Sequence, residues 1–527
     1  MHKTKFIVTT GGVVSGLGKG VTTASIGSLF ASEYNVVPIK CDGYLNVDPG
    51  TMSPFQHGEV FVLDDKGEVD MDFGHYERFL DIDCQGEWNL TLGKIFERVI
   101  NKERRGDYLG GTVQLIPHVT NFIKSWWKQI YDRSKADLVL IEIGGTVGDM
   151  ENNLYIEAAR QLKKEVGLEN IVYVHLTYVP ILENVGEPKS KPTQQSVQLL
   201  RERGIVPDII IARSSAPLPR GLEEKIALFC DVDQEAVISG LDLDSIYKVP
   251  RSYADQGLLK ILSERLGLPV QTPRFFDIKK PDEAINLAIC GKYTNLRDAY
   301  ASISHALEHC EHALGVKSDV KWLETSEDND LEESLAGVNA VIVPGGFGSR
   351  GTEGKIRVIE YCRENNIPFL GICYGMQLAV IEYARHILGL ADANSAEINP
   401  DTSEPVVCLL PEQFKVHALG GTMRLGGHDV HIRPNTETRA LVGEDVIRRR
   451  FRHRWEVNPE YVPRLEGKGL VFSAYTPDRE IMQAIELPGH PYFVGTQFHP
   501  ELTSRPRRPD PHFLGLIKAA VKHKNNS

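Results

Sequence analysis

Short apolar runs alternate with stretches of helical spacing along most of the chain. Residues 6–10 (FIVTT), 36–40 (VVPIK), 137–143 (DLVLIEI), 171–176 and 208–212 predict buried strands, and residues 21–34 (VTTASIGSLFASEY) and 223–229 predict helices. Continuous apolar runs bounded by turn residues mark strands covered on both faces, and helices between them imply parallel pairing. The pattern breaks at residues 269–283 (PVQTPRFFDIKKPDE), where prolines and mixed charge follow no period. A second alternation opens at 285–290 (INLAIC), with strand runs at 340–343 and 369–372. The expectation is an α/β protein with two doubly wound parallel-sheet domains, 1–268 and 285–527, joined by a linker at 269–284.

The length of 527 residues agrees with more than one core. A formal charge of −12 argues against a nucleic-acid partner, yet local lysines can still serve small anionic substrates. No apolar run reaches membrane-spanning length, and the start MHKTKFIVTT has no signal-peptide core. Eight scattered cysteines do not form a disulfide framework. The reading is a cytoplasmic protein with reduced thiols and no membrane contact.

The first chemical signal is residues 11–20, GGVVSGLGKG, between a predicted strand and a predicted helix. Such a turn converges backbone N–H groups on a phosphate, and Lys19 adds a mobile positive charge. The strict phosphate-loop pattern fails twice: Val13 stands where its first glycine belongs, and Gly20 replaces its Ser/Thr. Lys40 ends the second strand. Glu142 sits inside an apolar strand, which is costly unless it is paired or bound to a cation. Glu142 and Asp72 are therefore candidate Mg²⁺ ligands, since Mg²⁺ takes few carboxylates plus phosphate oxygens. The plainer reading pairs Glu142 with a nearby lysine. Lys189 and Lys191, in the loop GEPKSKPTQQ, read by themselves as solvated surface charge.

In the second half, Gly371-Ile372-Cys373-Tyr374-Gly375 has the layout of a nucleophile elbow. A cysteine at a helix N-terminus is poised as a thiolate nucleophile. Residues 344–348 (PGGFG) can offer backbone N–H groups to an oxyanion. Far downstream, in TQFHPE, His499 and Glu501 stand two apart, so that Glu501 can orient an imidazole that exchanges a proton with Cys373.

Through PGGFG, GICYGMQ and FHPE the second half resembles class I glutamine amidotransferase domains. Through GGVVSGLGKG, NVDPGTMSPFQHGEVFV, GHYERFL, NKERRGDYLGGTVQLIPH, EIGGTVGD, KPTQ and KIALFC, the first half is similar to the amidoligase domain of the CTP synthase family. The resemblance implies a ligase that forms CTP from UTP, ATP and L-glutamine through a 4-phosphorylated UTP, with Mg²⁺ as cofactor. It implies ATP contacts at Gly16, Leu17, Gly18, Lys19, Gly20, Val21, Lys40, Asp72, Leu241, Asp242 and Leu243. UTP and CTP contacts are implied at Ser15, Asp149, Met150, Glu151, Lys189, Ser190, Lys191, Pro192, Thr193, Gln194 and Lys225, which replaces the surface reading of the Lys189 loop. Glutamine contacts are implied at Gly346, Tyr374, Gly375, Met376, Gln377, Glu397 and Arg454, and an ammonia-tunnel gate at His57. Activation by GTP, inhibition by product CTP, a homotetramer and filaments are family properties it also implies. The chain departs from the family pattern at Cys41-Asp42-Gly43, at Leu92, and in residues 401–421, a short version of a lid associated with GTP. Another ATP-dependent amidoligase and a filament protein without catalysis are the competing readings.

Overall fold

The computed structural model describes residues 3–53, 57–181, 186–270, 272–292, 297–325, 330–346, 348, 351–409 and 423–526. Two compact units divide the chain: Met1–Pro49 with Asp72–Phe276, and Gly50–Met71 with Asp277–Ser527.

The first unit is built on seven strands: β1 Lys5–Gly11, β2 Val36–Asp42, β3 Asn89–Thr91, β4 Leu138–Ile143, β5 Ile171–Tyr178, β6 Ile209–Ser214 and β7 Val237–Leu241. They pair all-parallel in the order β3-β2-β4-β1-β5-β6-β7. Central strands buried along their length explain the continuous apolar runs. Helix α1, Lys19–Ser28, is buried at nearly every position, because its small residues let it lie close on the sheet. A Cβ on Gly27 would stand 2.6 Å from Leu140. Helix α2 is Asp72–Leu80, and α3 is Lys191–Glu202.

The main sheet of the second unit has nine strands: β8 Glu283–Gly291, β9 Val316–Glu324, β10 Ala340–Val343, β11 Phe369–Ile372, β12 Arg424–Ile432, β13 Val446–His453, β14 Val471–Tyr475, β15 Met482–Glu486 and β16 Phe493–Thr496. Their order is β9-β8-β10-β11-β16-β15-β14-β12-β13. The block from β9 to β16 is parallel, and the remaining four strands extend it antiparallel. Helix α4, Tyr374–His386, follows β11.

Residues 50–71 precede α2 in sequence yet pack within the second unit. Their hairpin pairs Phe61–Val62 with Glu68–Val69. Strand alternation puts Arg448, Arg450 and Arg452 of β13 on one face. Arg448 holds Asp64 at 2.8 Å, Arg450 donates to the Val62 carbonyl at 3.2 Å, and Arg452 holds Glu68 at 2.7 Å. No helix among the described residues is long and apolar enough to cross a membrane.

Candidate active sites

In the first unit the glycine turn opens from the carboxyl end of β1, where strand order reverses and α/β folds bind ligands. Val13, Gly16 and Gly18 take left-handed φ values of 81°, 75° and 85°. Val13 thus adopts the conformation that the missing glycine would supply. A Cβ on Gly20 would lie 2.0 Å from Asp72 Oδ1, so the space of a Ser/Thr side chain is filled by the Asp72 carboxylate. A Cβ on Gly12 would lie 1.6 Å from Ser196 Oγ, which packs the turn against α3.

Strand register places Lys40 beside Glu142. The Lys40 ammonium donates to Glu142 Oε1 at 3.0 Å and also to Asp72, while Tyr76 donates to the other Glu142 oxygen. The plain pairing of Glu142 with a lysine is therefore present, and Asp72 shares the same ammonium. Burial raises the pKa of Glu142 against the opposing pull of Lys40. Burial also works on Asp72, but Lys40, His75 and Lys19 together outweigh it and hold that carboxyl below its usual range. Lys19 donates to the Gly145 carbonyl at 2.7 Å, and burial lowers its pKa.

A grouping of three potential metal ligands does occur among the described residues, at Glu360, Glu382 and His386. Arg363 already donates to Glu382 at 3.0 Å there, which makes the group an ion-pair network on two helices of the second unit.

In the second unit Cys373 joins β11 to α4 with φ 52° and ψ −99°, a strained conformation for a residue with a side chain. Two glycines permit the bend. A Cβ on Gly375 would lie 2.1 Å from the Val343 carbonyl, and one on Gly371 would lie 2.8 Å from the Gly375 backbone. His499 Nδ1 meets Glu501 Oε1 at 2.7 Å, and His499 Nε2 is buried. Burial opposes charge on this ring, but Glu501 and then Cys373 outweigh it and push its pKa up to about 10. A Cβ on Gly345 would touch both His499 Cε1, at 3.1 Å, and Cys373 Cβ, at 3.6 Å. The PGG turn after β10 therefore stands against the thiol and the imidazole together. Phe347 of that turn lies outside the described residues.

Two family models match: "CTP synthase N-terminus" over residues 5–268 and "Glutamine amidotransferase class-I" over residues 295–519. A CTP synthase of Methanopyrus kandleri is 54% identical over 98% of this chain and 99% of its own length. One of Thermococcus kodakarensis is 54% identical over 99% of this chain and 100% of its own. The chain belongs to the CTP synthase family. Among solved structures, the Trypanosoma brucei CTPS glutaminase domain with bound acivicin is 35% identical and covers 45% of this chain and 94% of its own, with TM-score 0.43.

Within this CTP synthase fold the family-implied residues fall as follows. Gly16, Leu17, Gly18, Lys19, Gly20 and Val21 form the turn and the start of α1. Leu241, Asp242 and Leu243 lie at the carboxyl end of β7, three strands from β1, with Asp242 paired to Arg213. Ser15, Asp149, Met150, Glu151, Lys191 and Lys225 are exposed. Lys189 meets Glu187 at 2.5 Å, and Lys189 and then Lys225 hold that carboxyl below its usual range, so the two lysines share one neighbourhood. Ser190 precedes α3, Pro192 occupies its first turn, Thr193 bonds Thr177 at 3.0 Å, and Gln194 bonds Ser190 at 3.1 Å.

Around Cys373, a Cβ on Gly346 would meet open space, and Tyr374 OH donates to the Gly348 carbonyl at 3.1 Å. Glu397 Oε1 accepts from Gly348 N at 3.0 Å; burial raises its pKa while Lys292 and Arg454 oppose. Met376 packs into the hydrophobic core. His57 is exposed on the segment that belongs to the second unit. Of the short lid stretch 401–421, residues 410–421 lie outside the described residues.

Sequence reasoning gave no role to His175, Tyr76 or Gln497. His175 on β5 is fully buried, held by Thr10 at 2.8 Å and Ser196 at 2.8 Å, directly under the glycine turn. Gln497 Nε2 reaches Cys373 Sγ at 3.5 Å. The signal for Gln497 was its place two residues before His499, which in an extended segment points it to the same side.

Proposed function

We propose that this chain converts UTP, ATP and glutamine to CTP, ADP, phosphate and glutamate, opening glutamine in the second unit and aminating the pyrimidine in the first. The supporting observation is the strained Cys373 elbow, with His499, Glu501 and the PGG turn beside it, in a chain whose other unit sets Lys19, Lys40, Asp72 and Glu142 around one glycine turn.

In the second unit, the His499 ring holds the thiol proton as an imidazolium beside the sulfur, and the sulfur attacks the side-chain amide carbon of glutamine. Backbone N–H groups beside Gly345 and at Tyr374 meet the developing oxyanion. The C–N bond breaks, the leaving nitrogen takes a proton and departs as ammonia, and water then frees glutamate from the thioester. Glu397 and Arg454 read the charged end of the amino acid.

In the first unit, the 4-oxygen of uracil is a poor leaving group until ATP phosphorylates it. Ammonia then displaces phosphate. Lys19 and Lys40 neutralise charge on the moving phosphoryl group. Asp72 and Glu142 fit a divalent cation: both are hard oxygen donors, and they already converge on one positive charge, the Lys40 ammonium. Bound there, Mg²⁺ supplies charge neutralisation to the phosphates. Ser15, Asp149, Met150, Glu151, the Lys189 loop and Lys225 form the UTP and CTP surface, and the exposure of Ser15, Asp149, Met150, Glu151, Lys191 and Lys225 in one chain suits a site completed by another subunit of a tetramer. Activation by GTP, inhibition by CTP and assembly into filaments rest on family membership.

The test is CTP formation from UTP and ATP with either glutamine or ammonia. The expected result is that Cys373→Ala abolishes the glutamine reaction and retains the ammonia reaction. Loss of both would remove the division of labour between the units.

A further inference from the structure

The bonding around Cys373 settles which end of one buried amide faces the sulfur. The Trp455 carbonyl can only accept, so the atom of the Gln377 amide that meets it at 2.7 Å is Nε2. The same Nε2 donates its second hydrogen to Gln497 Oε1 at 3.1 Å. With its oxygen engaged, Gln497 presents Nε2–H to Cys373 Sγ at 3.5 Å. A flip of either amide would set donor against donor or acceptor against acceptor along this chain. Gln497 is 0% exposed and Gln377 3%, so water does not compete for these bonds. The geometry is built by β16 lying beside β11: Cys373 N donates to the Thr496 carbonyl at 2.6 Å, and Gln497 is the next residue. The second polar group at the sulfur, the Arg452 carbonyl at 3.8 Å, can only accept, and therefore favours the S–H form.

We propose that Gln497 is a catalytic residue of glutamine hydrolysis, its amide N–H holding the negative charge that appears on Cys373 sulfur when the proton passes to His499 Nε2. The balance is simple: the S–H bond breaks, the N–H bond forms on His499, and the sulfur electron pair is met by Gln497 until it bonds the glutamine carbon. A donor aimed at a charged group favours the charged form. Gln377 is the positioning residue, since one of its amide hydrogens anchors it on the Trp455 carbonyl and the other orients Gln497. This inference rests on the glutamine-hydrolysing role proposed for the same site.

The test uses the full chain carrying Gln497→Leu, which removes the donor, and Gln497→Glu, which keeps the shape but turns an oxygen toward the sulfur. The rate of Cys373 alkylation by iodoacetamide is followed against pH, beside glutamine- and ammonia-dependent CTP formation. A hydrogen bond to a charged group corresponds to about tenfold to a hundredfold in an equilibrium. The expected outcome is alkylation at neutral pH slower by at least about tenfold, with its profile moved to higher pH, in both variants. The glutamine kcat falls in step with little change in KM, and ammonia-dependent synthesis is retained. Gln377→Leu, which releases the Gln497 amide to turn, should slow alkylation by a smaller factor. An unchanged alkylation profile in Gln497→Glu would overturn the proposal. If the parent chain made no CTP from either nitrogen source, the proposed function would fail, and the alkylation comparison would still decide the role of Gln497.

Discussion

Glu68 and Arg452 meet at 2.7 Å although 384 residues separate them in sequence, and the carbonyl of that same arginine stands 3.8 Å from the Cys373 sulfur. The hairpin bearing Glu68 thus holds the side chain of the residue whose carbonyl faces the Cys373 sulfur. Removing one partner of a largely buried ion pair leaves the other uncompensated and costs on the order of 1–3 kcal/mol. Glu68→Gln should lower the denaturation midpoint of the second unit and reduce glutamine-dependent synthesis several-fold, with ammonia-dependent synthesis unchanged. Equal losses with both nitrogen sources would show that the hairpin serves the first unit instead.

Gly20→Ser restores the residue type of a standard phosphate loop, yet it should be harmful here. Its Cβ would need the place of Asp72 Oδ1, 2.0 Å away. CTP formation should fall by more than about a hundredfold with either nitrogen source, since the glycine turn and its carboxylate would both be displaced. Hydrolysis of glutamine to glutamate, measured separately, should persist. Normal synthesis in this variant would show that Asp72 can move aside without consequence.

His175 should shape the acid limb of stability. Burial first, and Lys19 second, lower its pKa to about 3, so the folded chain requires the neutral ring. A lowered folded value contributes stability that is complete above the ordinary histidine value of 6.5 and is lost as pH falls from there toward 3. The slope is about 1.4 kcal/mol per pH unit at its steepest. His175→Gln should flatten this limb in urea denaturation series between pH 6 and 4, on the order of one unit apart. Parallel curves for parent and variant would exclude His175 as its source.

His499 works in the opposite sense. Its pKa is raised to about 10, so its charged form contributes stability present in full below 6.5 and lost as pH rises toward 10. Glu501→Gln removes the stronger of the two charges that hold the imidazolium. Across that window the parent should lose stability more steeply than the variant, and glutamine turnover in the variant should drop by about a hundredfold or more. Identical slopes would mean that Glu501 does not govern the ring.

The glycine turn and the Cys373 elbow were legible because each is a local device: consecutive residues make the strand, the bend and the helix. Lys40 and Glu142 were legible as candidates because a charge inside an apolar run is conspicuous. Edge strands were harder to read. Asn89–Thr91 is only three residues long, and Val316–Glu324 alternates polar and apolar positions because one face is solvated. Gln497, between Thr496 and Phe498, has no role legible in the sequence, since an amide acquires one only from what it faces.

Sequence alone determined the two α/β alternations, the glycine turn, the bend at Cys373 and the spacing of His499 and Glu501, because short-range periodicity and steric demands at glycines are written in neighbouring residues. Tertiary structure decided that residues 50–71 join the second unit, that the Asp72 carboxylate takes the space beside Gly20, and that two glutamines relay a donor to sulfur. The physical reason is that these relationships depend on strand order and register. The pairing of Phe369–Ile372 with Phe493–Thr496 brings Gln497 to Cys373 across 124 residues, and no local pattern encodes that distance.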